Sequence, residues 1–352
     1  MKKLFLLLML ILIMAITGCG DNSKNESATP SERNKTEDTT KSEAPAEPVA
    51  PVKISFAGDC TLGSFLGSDN RFANYWSEGP GYYLGNVKSI FESDDITFVN
   101  LEGPLTKHRQ TAIKEFPMRG EPEYVEILTA ASVEVCNLSN NHIYDCGDEG
   151  FEDTVNILNE NNIKMCGEGH YAIIDVRGIK VGFLGYQGWE DYPELRANIE
   201  NDIKKLRDNG ADVVIVEFHW GIELDYTSYD TQDNLAHFSI DSGADVVVGA
   251  HPHVVQGIEV YKDKIIAYSL GNFCFGANND PTDKDTFILQ LELDKNGNNL
   301  NPKIIPCRIS STKSYNDFCP TPVTGSEAER IINKLAKSSR IYPQTIDFNG
   351  QL

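Results

Sequence analysis

The sequence lacks the cysteine spacing that marks a structural zinc site or a disulfide framework. It contains eight cysteines, and no two of them are spaced as C-x-x-C. Cys19 belongs to the N-terminal segment discussed below; without it seven cysteines remain, and an odd number cannot all pair in disulfides. Most of these cysteines lie inside or beside apolar runs, where a thiol packs as a small hydrophobic group. A disulfide between Cys307 and Cys319 is compatible with the sequence, but spacing alone does not establish it.

Positive charge is also scarce. The chain has 31 Lys and Arg residues against 52 Asp and Glu, a formal net charge of −21. The first 19 residues contribute +2 and residues 20–51 contribute −3, so residues 52–352 carry −20. A domain this acidic repels nucleic acid and anionic lipid, which argues against a basic binding surface and predicts no nucleic-acid partner. A polyanionic substrate would need metal ions to offset this field locally.

The N-terminal apolar run is too short to span a bilayer comfortably. It extends over residues 4–16 after Lys2 and Lys3 and has the form of a signal-peptide core. The run ends in Ile16-Thr17-Gly18-Cys19, which resembles a bacterial lipobox. That resemblance implies cleavage before Cys19 and a diacylglyceryl anchor on its sulfur, which would place the protein at the extracytoplasmic face of the cell membrane. A plain signal peptide and an uncleaved N-terminal anchor are the alternatives.

Large apolar residues are almost absent from residues 20–51, which are rich in Ser, Thr, Glu, Lys, Pro and Ala. Such a segment cannot bury enough surface to offset its ordering entropy. We therefore predict four regions: a lipoprotein signal peptide (1–19), a disordered tether (20–51), a folded domain (52–310) and a C-terminal extension (311–352).

Strands and helices alternate through most of the folded domain. Strands are predicted at 52–57, 96–101, 133–138, 181–184, 212–218, 244–248, 265–269, 287–293 and 304–309, and helices at 82–91, 149–161, 195–206 and 234–242. The last three strands follow one another without helices. Alternation followed by a β-only stretch predicts an α/β core with two sheets or one mixed sheet.

Polar side chains that suit a metal follow five of the predicted strands. The clearest case is Gly249-Ala250-His251-Pro252-His253, where two imidazoles in extended backbone would project to one side of a loop stiffened by proline. The complete set is Asp59, Glu102, Asn141 with His142, His219, and His251 with His253. Ligands of open α/β sheets bind outside the carboxyl ends of strands, so these residues are expected to converge. Imidazole and carboxylate together favour Zn, Mn or Fe over Ca or Mg.

These motifs, in this order, resemble the CapA family of poly-γ-glutamate capsule biosynthesis proteins, a branch of the calcineurin-like metallophosphoesterase superfamily. The residues that carry the match are Gly58-Asp59, Val99-Asn100-Leu101-Glu102, Ser139-Asn140-Asn141-His142 with Asp145 and Gly147, Phe218-His219-Trp220-Gly221, Gly249–His253 and Tyr268–Phe273. The resemblance covers roughly residues 52–275. It implies a four-layer α/β/β/α sandwich of the metallophosphoesterase type that binds one or two divalent metal ions.

The resemblance also implies roles for individual residues. Asp59 and His253 match ligands of a first metal, Glu102 matches the bridging carboxylate, and the second-metal ligands match Asn141, His219 and His251. His142 matches the catalytic histidine, and Asp145 is expected either to orient it or to cap a helix. The superfamily usually has Asp-x-His on the first strand, whereas this chain has Asp59-Cys60-Thr61. One tight and one labile metal are therefore expected.

Three weaker candidates for substrate contact are Arg119, Trp220 and Glu223. Arg119 has the geometry to hold a carboxylate or phosphate, but a surface ion pair explains it equally well. Trp220 and Glu223 follow His219 closely enough to line a pocket, although tryptophan is more often a core residue.

Three functions are compatible with the sequence. The first is metal-dependent hydrolysis of an amide or phosphoester in the synthesis or export of poly-γ-glutamate or another envelope polymer, with the anionic polymer and a membrane synthase complex as partners. The second is a non-catalytic accessory subunit of a polymer synthase. The third is a phosphoesterase acting on small molecules, which the missing first-strand histidine disfavours.

Overall fold

The computed structural model describes residues 49–65, 67–109 and 112–339. The predicted signal peptide, Cys19, the tether up to residue 48 and the end of the C-terminal extension lie outside the described residues, and the predicted region boundaries stay predictions. Within these three ranges, none of the helices combines the length and apolar composition that a bilayer-spanning segment needs.

The described residues form two large β-sheets and a two-stranded ribbon. The strands in chain order are β1 (Val52–Thr61), β2 (Ser64–Phe65), β3 (Ile96–Leu101), β4 (Met118–Arg119), β5 (Val135–Asn137), β6 (Lys164–Cys166), β7 (Ala172–Val176), β8 (Ile179–Gly188), β9 (Val213–Trp220), β10 (Val246–Ala250), β11 (Ile258–Tyr261), β12 (Lys264–Ala267), β13 (Asn272–Phe275), β14 (Asp285–Leu293), β15 (Lys303–Arg308) and β16 (Thr321–Pro322). The first sheet has the order β16-β15-β14-β1-β3-β5-β6, with β13 also pairing β1, and the second has the order β11-β12-β10-β9-β8-β7. The strands β1, β3, β5 and β6 are parallel, as are β8, β9, β10 and β12.

Seven α-helices accompany these strands in the described residues. They are α1 (Arg71–Asn74), α2 (Lys88–Phe91), α3 (Val125–Ala130), α4 (Gly147–Glu160), α5 (Pro193–Asp208), α6 (Asp230–Asp241) and α7 (Gly325–Ser338). Short 3₁₀ turns cover Trp76–Glu78, Pro80–Tyr82 and Pro122–Tyr124.

The main hydrophobic core lies between the two sheets. Strand alternation sends Val213 and Ile215 of β9 into this core, whereas Val214, Val216 and Phe218 point to the opposite face. Phe98 of the first sheet stacks on Phe183 of the second, with ring centroids 5.5 Å apart. The two inner faces are therefore packed against each other, as in a β-sandwich.

Helices cover the outer face of each sheet. Residues of α2, α3 and α4 pack with outward residues of β1, β3 and β5, and residues of α5 and α6 pack with outward residues of β8, β9 and β10. Helix α5 buries one apolar stripe, as an amphipathic helix on a sheet must, whereas the buried face of α6 also contains Gln232, Asp233 and Ser239. The predicted four-layer α/β/β/α sandwich is confirmed.

The described part of the C-terminal extension contributes to the same fold. The strand β16 pairs with β15 at the edge of the first sheet. Helix α7 buries Ile331, Ile332 and Leu335 in the inter-sheet core and contacts both β15 and β11.

Two local predictions need correction. The helix predicted at 82–91 is reduced to the end of a 3₁₀ turn, a turn segment over 83–87 and the four-residue helix α2; Gly85, inside the span, disfavours a continuous helix. His251 and His253 do not occupy extended backbone; their φ angles are +92° and +58°. Positive φ is uncommon in residues other than glycine, and such backbone strain is concentrated at functional sites.

All seven cysteines in the described residues are buried free thiols. Cys307 and Cys319 thus form no disulfide, and they pack in the core between the first sheet and its covering helices and loops.

Two glycines allow the close backbone approach that brings the strand ends together. A β-carbon at Gly58 would lie 1.8 Å from the carbonyl oxygen of Gly271, and one at Gly249 would lie 2.1 Å from the carbonyl oxygen of Tyr268. The segment from Tyr268 to Gly271 therefore packs directly on the ends of β1 and β10. Any larger residue at either position would force these elements apart.

Candidate metal centre

The seven polar residues predicted at strand ends converge on one site. Asp59 lies on β1, Glu102 directly follows β3, and Asn141 and His142 lie in the loop after β5. His219 is on β9, one residue before its end, and His251 and His253 directly follow β10. Because these strands are parallel within each sheet, their carboxyl ends meet at the same edge of the sandwich.

The side chain of Glu102 occupies the centre of this group. Its Oε1 atom lies 3.7 Å from Nε2 of His219, 3.8 Å from Nε2 of His253 and 3.9 Å from Nε2 of His142. Ligand atoms of Glu102, His251 and His253 all lie within 4.8 Å of one another. Two ligand atoms that bind one metal ion, each about 2.1 Å from it, lie roughly 3–3.5 Å apart. The separations around Glu102 are too long for hydrogen bonds but approach this value.

Two buried atoms of the site have no hydrogen-bond partner in the described residues. They are Oε1 of Glu102 and Nδ1 of His251. A buried polar atom without a partner is costly, so such atoms call for a ligand that the protein chain itself does not supply. A carboxylate oxygen and an imidazole nitrogen are both donors to Zn, Mn or Fe. The residues present therefore fit a divalent metal.

Burial and charge shift the titration of these groups in opposite directions. Burial, and then the neighbouring histidines, lower the pKa of His219 far below its usual value and that of His251 to about 3. Burial also lowers the pKa of His253, but Glu102 and Asp59 outweigh it and raise the value to about 10. Burial raises the pKa of Glu102, and His253 opposes that shift. These shifts favour neutral His219 and His251, the form in which imidazole binds metals, while positive charge nearby favours the ionised form of the buried Glu102.

His142 is held by Asp145 next to this cluster. Nδ1 of His142 lies 2.7 Å from Oδ2 of Asp145, which also accepts the backbone N–H of Met118 at 2.5 Å. Asp145 precedes α4 without capping it, since Cys146 is the N-cap residue. Of the two roles predicted for Asp145, orienting His142 is the one that its position allows.

Sequence reasoning missed Asn100, whose amide touches two of the clustered residues. Its Nδ2 lies 2.8 Å from Oδ1 of Asp59 and 3.1 Å from Nδ1 of His219. Its Oδ1 accepts from Nδ2 of Asn137 at 3.2 Å and of Asn140 at 3.3 Å. The available signal in the sequence was an asparagine near the end of a largely apolar predicted strand, two residues before Glu102.

Thr61 stands where the superfamily pattern has the first-strand histidine. Its hydroxyl donates to Oε2 of Glu102 at 3.0 Å, so the residue orients the central carboxylate. Cys60 points away from the cluster into the core under the helices. Elsewhere in the cluster, Nδ1 of His253 lies 3.2 Å from Oδ2 of Asp59 and 2.9 Å from Oδ1 of Asn272.

Of the three candidate substrate contacts, only Glu223 lies at the cavity beside the cluster. Trp220 is fully buried, stacks on Phe218 and donates to the carbonyl of Tyr268, so its predicted substrate contact is wrong. Arg119 lies outside this cavity, and its guanidinium donates to the carbonyl of Thr106 and to Glu121 at 2.6 Å, as the ion-pair alternative expects, so its substrate contact stays a prediction.

A cavity of about 1040 Å³ opens beside the cluster. Part of the cavity wall contains two predicted metal ligands, Asn141 and His253, together with His142 and Asn272. The apolar residues of the wall include Phe65, Phe116, Leu224 and Phe275. Trp189 packs against the metal-ligand cluster: its ring is edge-on to that of His251, with the two ring centroids 4.6 Å apart. A cavity of this size and mixed lining can hold several residues of an extended substrate.

Comparison with known proteins identifies relatives over most of the chain. A model of the family described as bacterial capsule synthesis protein PGA_cap matches residues 53–277. The chain is 31% identical over 316 residues to the PGA biosynthesis protein CapA of Bacillus subtilis, covering 82% of this chain and 78% of that protein. It is 31% identical over 328 residues to the capsule biosynthesis protein CapA of Bacillus anthracis, covering 83% and 77%.

Among solved structures, a phosphatase from Mycoplasma pneumoniae is 15% identical with a TM-score of 0.49, covering 76% of this chain and 95% of that one. At this level of structural similarity we infer nothing about activity.

Proposed function

The chain belongs to the family of bacterial capsule synthesis proteins, and from this membership we propose that it is a metal-dependent hydrolase acting on poly-γ-glutamate or a related anionic envelope polymer. The observation that carries the proposal is the central carboxylate oxygen of Glu102, buried without a partner among three imidazoles. We further propose that the protein works at the extracytoplasmic face of the cell membrane, held there by a lipid on Cys19, next to a membrane synthase complex.

The proposed ligands divide into two groups around Glu102. Asp59 and His253 would hold one metal, and Asn141, His219 and His251 would hold the other, with Glu102 shared. When bound, such ions supply hydroxide at neutral pH and polarise a carbonyl or phosphoryl oxygen. Burial lowers the pKa of His219 and of His251 and so favours the neutral imidazole, the form that binds metals.

His142 would transfer a proton during cleavage. Its Nδ1 is fixed by Asp145, which leaves Nε2 directed toward Glu102 at the cavity wall. A leaving amine or alkoxide in the cavity would take its proton from this Nε2 atom. Asp145 holds the ring orientation and stabilises the protonated imidazole.

A second function, that of a non-catalytic accessory subunit of a polymer synthase, is favoured by one observation. Thr61 replaces a histidine ligand of the superfamily and uses its hydroxyl to bond Glu102. A site with fewer nitrogen donors would bind its first metal more weakly, which suits a structural or regulatory role better than rapid turnover.

The two functions are separated by measuring polymer cleavage and metal content on the same preparations. We expect the metal-loaded full chain to shorten poly-γ-glutamate, measured by size-exclusion chromatography, and a chelator to abolish cleavage. His142→Ala should retain the metal, measured by elemental analysis, while losing at least about 100-fold in rate, the typical effect of a positioned proton donor. His108→Ala, which alters an exposed histidine outside the cavity, serves as the matched control.

Wild-type protein that holds metal but cleaves neither the polymer nor a generic phosphodiester would contradict the hydrolase. If cells carrying His142→Ala then still make polymer, the accessory function is the one supported. Cleavage of the phosphodiester alone would support the small-molecule phosphoesterase.

A further inference from the structure

We propose that Lys114 binds an anionic oxygen group of the substrate beside the bond to be cleaved, so that the site selects substrates with a carboxylate or phosphate at that position. This inference rests on the proposed function and names the chemistry that its cavity recognises. No motif in the sequence indicated this residue.

The position of the Lys114 ammonium is fixed from two sides. Its Nζ donates to the carbonyl oxygen of Asn141 at 2.7 Å and pairs with Oδ1 of Asp145. Asn141 is a proposed metal ligand, and the other oxygen of Asp145 holds His142. The charge of Lys114 therefore lies beside the loop that carries the proposed ligand Asn141 and the proton donor His142, on the wall of the cavity that would hold the reacting bond.

One N–H of this ammonium remains for a ligand. An ammonium has three donors, and two are used by Asn141 and Asp145. The side chain is 29% exposed and forms part of the cavity wall. Since two contacts already restrict the long side chain, binding a ligand to the third N–H would cost little additional conformational entropy.

Lys114 differs in its partners from the other lysine or arginine of the cavity wall. Arg71 pairs with Asp69 at 3.1 Å, whereas Lys114 contacts Asn141 and Asp145 of the proposed site. Two glutamates of the wall, Glu115 and Glu223, have no ion-pair partner in the described residues. Two aspartates of the wall are paired with lysines, Asp280 with Lys284 and Asp283 with Lys334. An anion is therefore favoured next to Lys114 and repelled from the acidic remainder of the wall.

This pattern matches a substrate with its anionic group next to the scissile bond. In poly-γ-glutamate, each amide nitrogen is attached to a carbon that carries a free carboxylate. A phosphodiester instead carries its charge on the non-bridging oxygens of the phosphorus that is attacked. Both present an anionic oxygen that Lys114 can bind in a charge-assisted hydrogen bond.

The test measures binding, independently of turnover. Calorimetric titration of the manganese-loaded full chain would use a γ-linked glutamate trimer, the same trimer with its carboxylates converted to carboxamides, and inorganic phosphate. For Lys114→Met we expect affinity for the trimer or for phosphate to fall by about tenfold or more, the effect of losing one charge-assisted hydrogen bond. Lys114→Arg should restore it. Lys107→Met removes the same charge from an exposed position of the same loop outside the cavity and should leave the affinity unchanged.

Elemental analysis and melting temperature separate ligand binding from a purely structural role. If Lys114 acts only as the counter-ion of Asp145, Lys114→Met lowers stability or metal content without changing affinity per loaded site, and the proposal is overturned. It is also overturned if the wild type binds the carboxamide trimer as tightly as the carboxylate, or binds neither anion. If Lys114→Met loses affinity for the trimer but not for phosphate, the site is assigned to carboxylates. If it loses affinity for phosphate but not for the trimer, the site is assigned to phosphoesters. Failure to detect cleavage would count against the hydrolase while leaving this binding result intact.

Discussion

At the scale of single residues, the amide of Asn100 joins the two halves of the proposed metal centre. Asp59 and His219, which it contacts, are assigned to different metals. Neighbours that orient metal ligands typically contribute 10–100-fold to metal affinity. We therefore predict that Asn100→Ala weakens metal binding by about 10–100-fold, measured by competition with a chelating dye.

A matched control for this change is Asn316→Ala. Asn316 is equally buried, but its amide bonds the backbone carbonyls of Phe275 and Asn278 instead of metal ligands. Both variants should melt at lower temperature because each loses buried hydrogen bonds. If they lose metal affinity to the same extent, Asn100 has no specific role at the centre.

The residues that sequence reasoning found and missed differ in a physical way. Strand direction alone brings together the residues at or just after strand ends: Asp59, Glu102, His219, His251 and His253. Contacts of Asn100 and Lys114 depend on the packing of several loops, which local patterns do not encode. Trp220 was misplaced because alternation along β9 sends it to the helix-covered face, opposite to His219.

At the scale of elements, strands with strong apolar patterning were predictable and loops were not. The sequences of β3, β9 and β14 alternate or run apolar over their whole length, so their existence and approximate bounds could be predicted. The strands β6 and β13 have three and four residues and pair with β5 and β1, which lie far away in the chain, whereas the four-residue β11 is an edge strand that pairs only with the adjacent β12. Helix α7 lay beyond the residues covered by the family resemblance, although its apolar stripe at Ile331, Ile332 and Leu335 was readable.

Packing of β10 against the segment after β12 is predicted to depend on Gly249. A β-carbon there would lie 2.4 Å from Nε1 of Trp220, which donates to the carbonyl of Tyr268 at 2.8 Å. We expect Gly249→Ala to lower the free energy of unfolding by about 1–3 kcal/mol, as overpacking usually does. The change should also displace His251 and so reduce metal content.

Urea denaturation followed by tryptophan fluorescence would measure the effect of Gly249→Ala. Gly81→Ala is the control, because an added β-carbon there meets no atom within 4 Å. An unfolding free energy of Gly249→Ala equal to that of wild type would show that the two segments can separate without cost.

At the scale of the whole molecule, the proposed location depends on a segment outside the described residues. A net charge of −21 disfavours direct adsorption to an anionic membrane surface, so retention would have to come from covalent lipid. We predict that Cys19→Ser either releases the protein from the membrane fraction or leaves its precursor unprocessed, as judged by fractionation and gel mobility. A variant that fractionates and migrates like wild type would contradict lipid anchoring at Cys19.

The buried thiols have a consequence if the protein is exported, as proposed above. Disulfide exchange needs a thiolate that an oxidant can reach. Burial raises the pKa of Cys60 to about 12 and the pKa values of Cys136, Cys166 and Cys274 well above their usual range, so the finished domain offers almost no thiolate. Oxidants can therefore react with these thiols only during folding, before the core has formed. For an exported chain, the speed of folding, more than the strength of any cross-link, would then set the yield of intact protein in an oxidising environment.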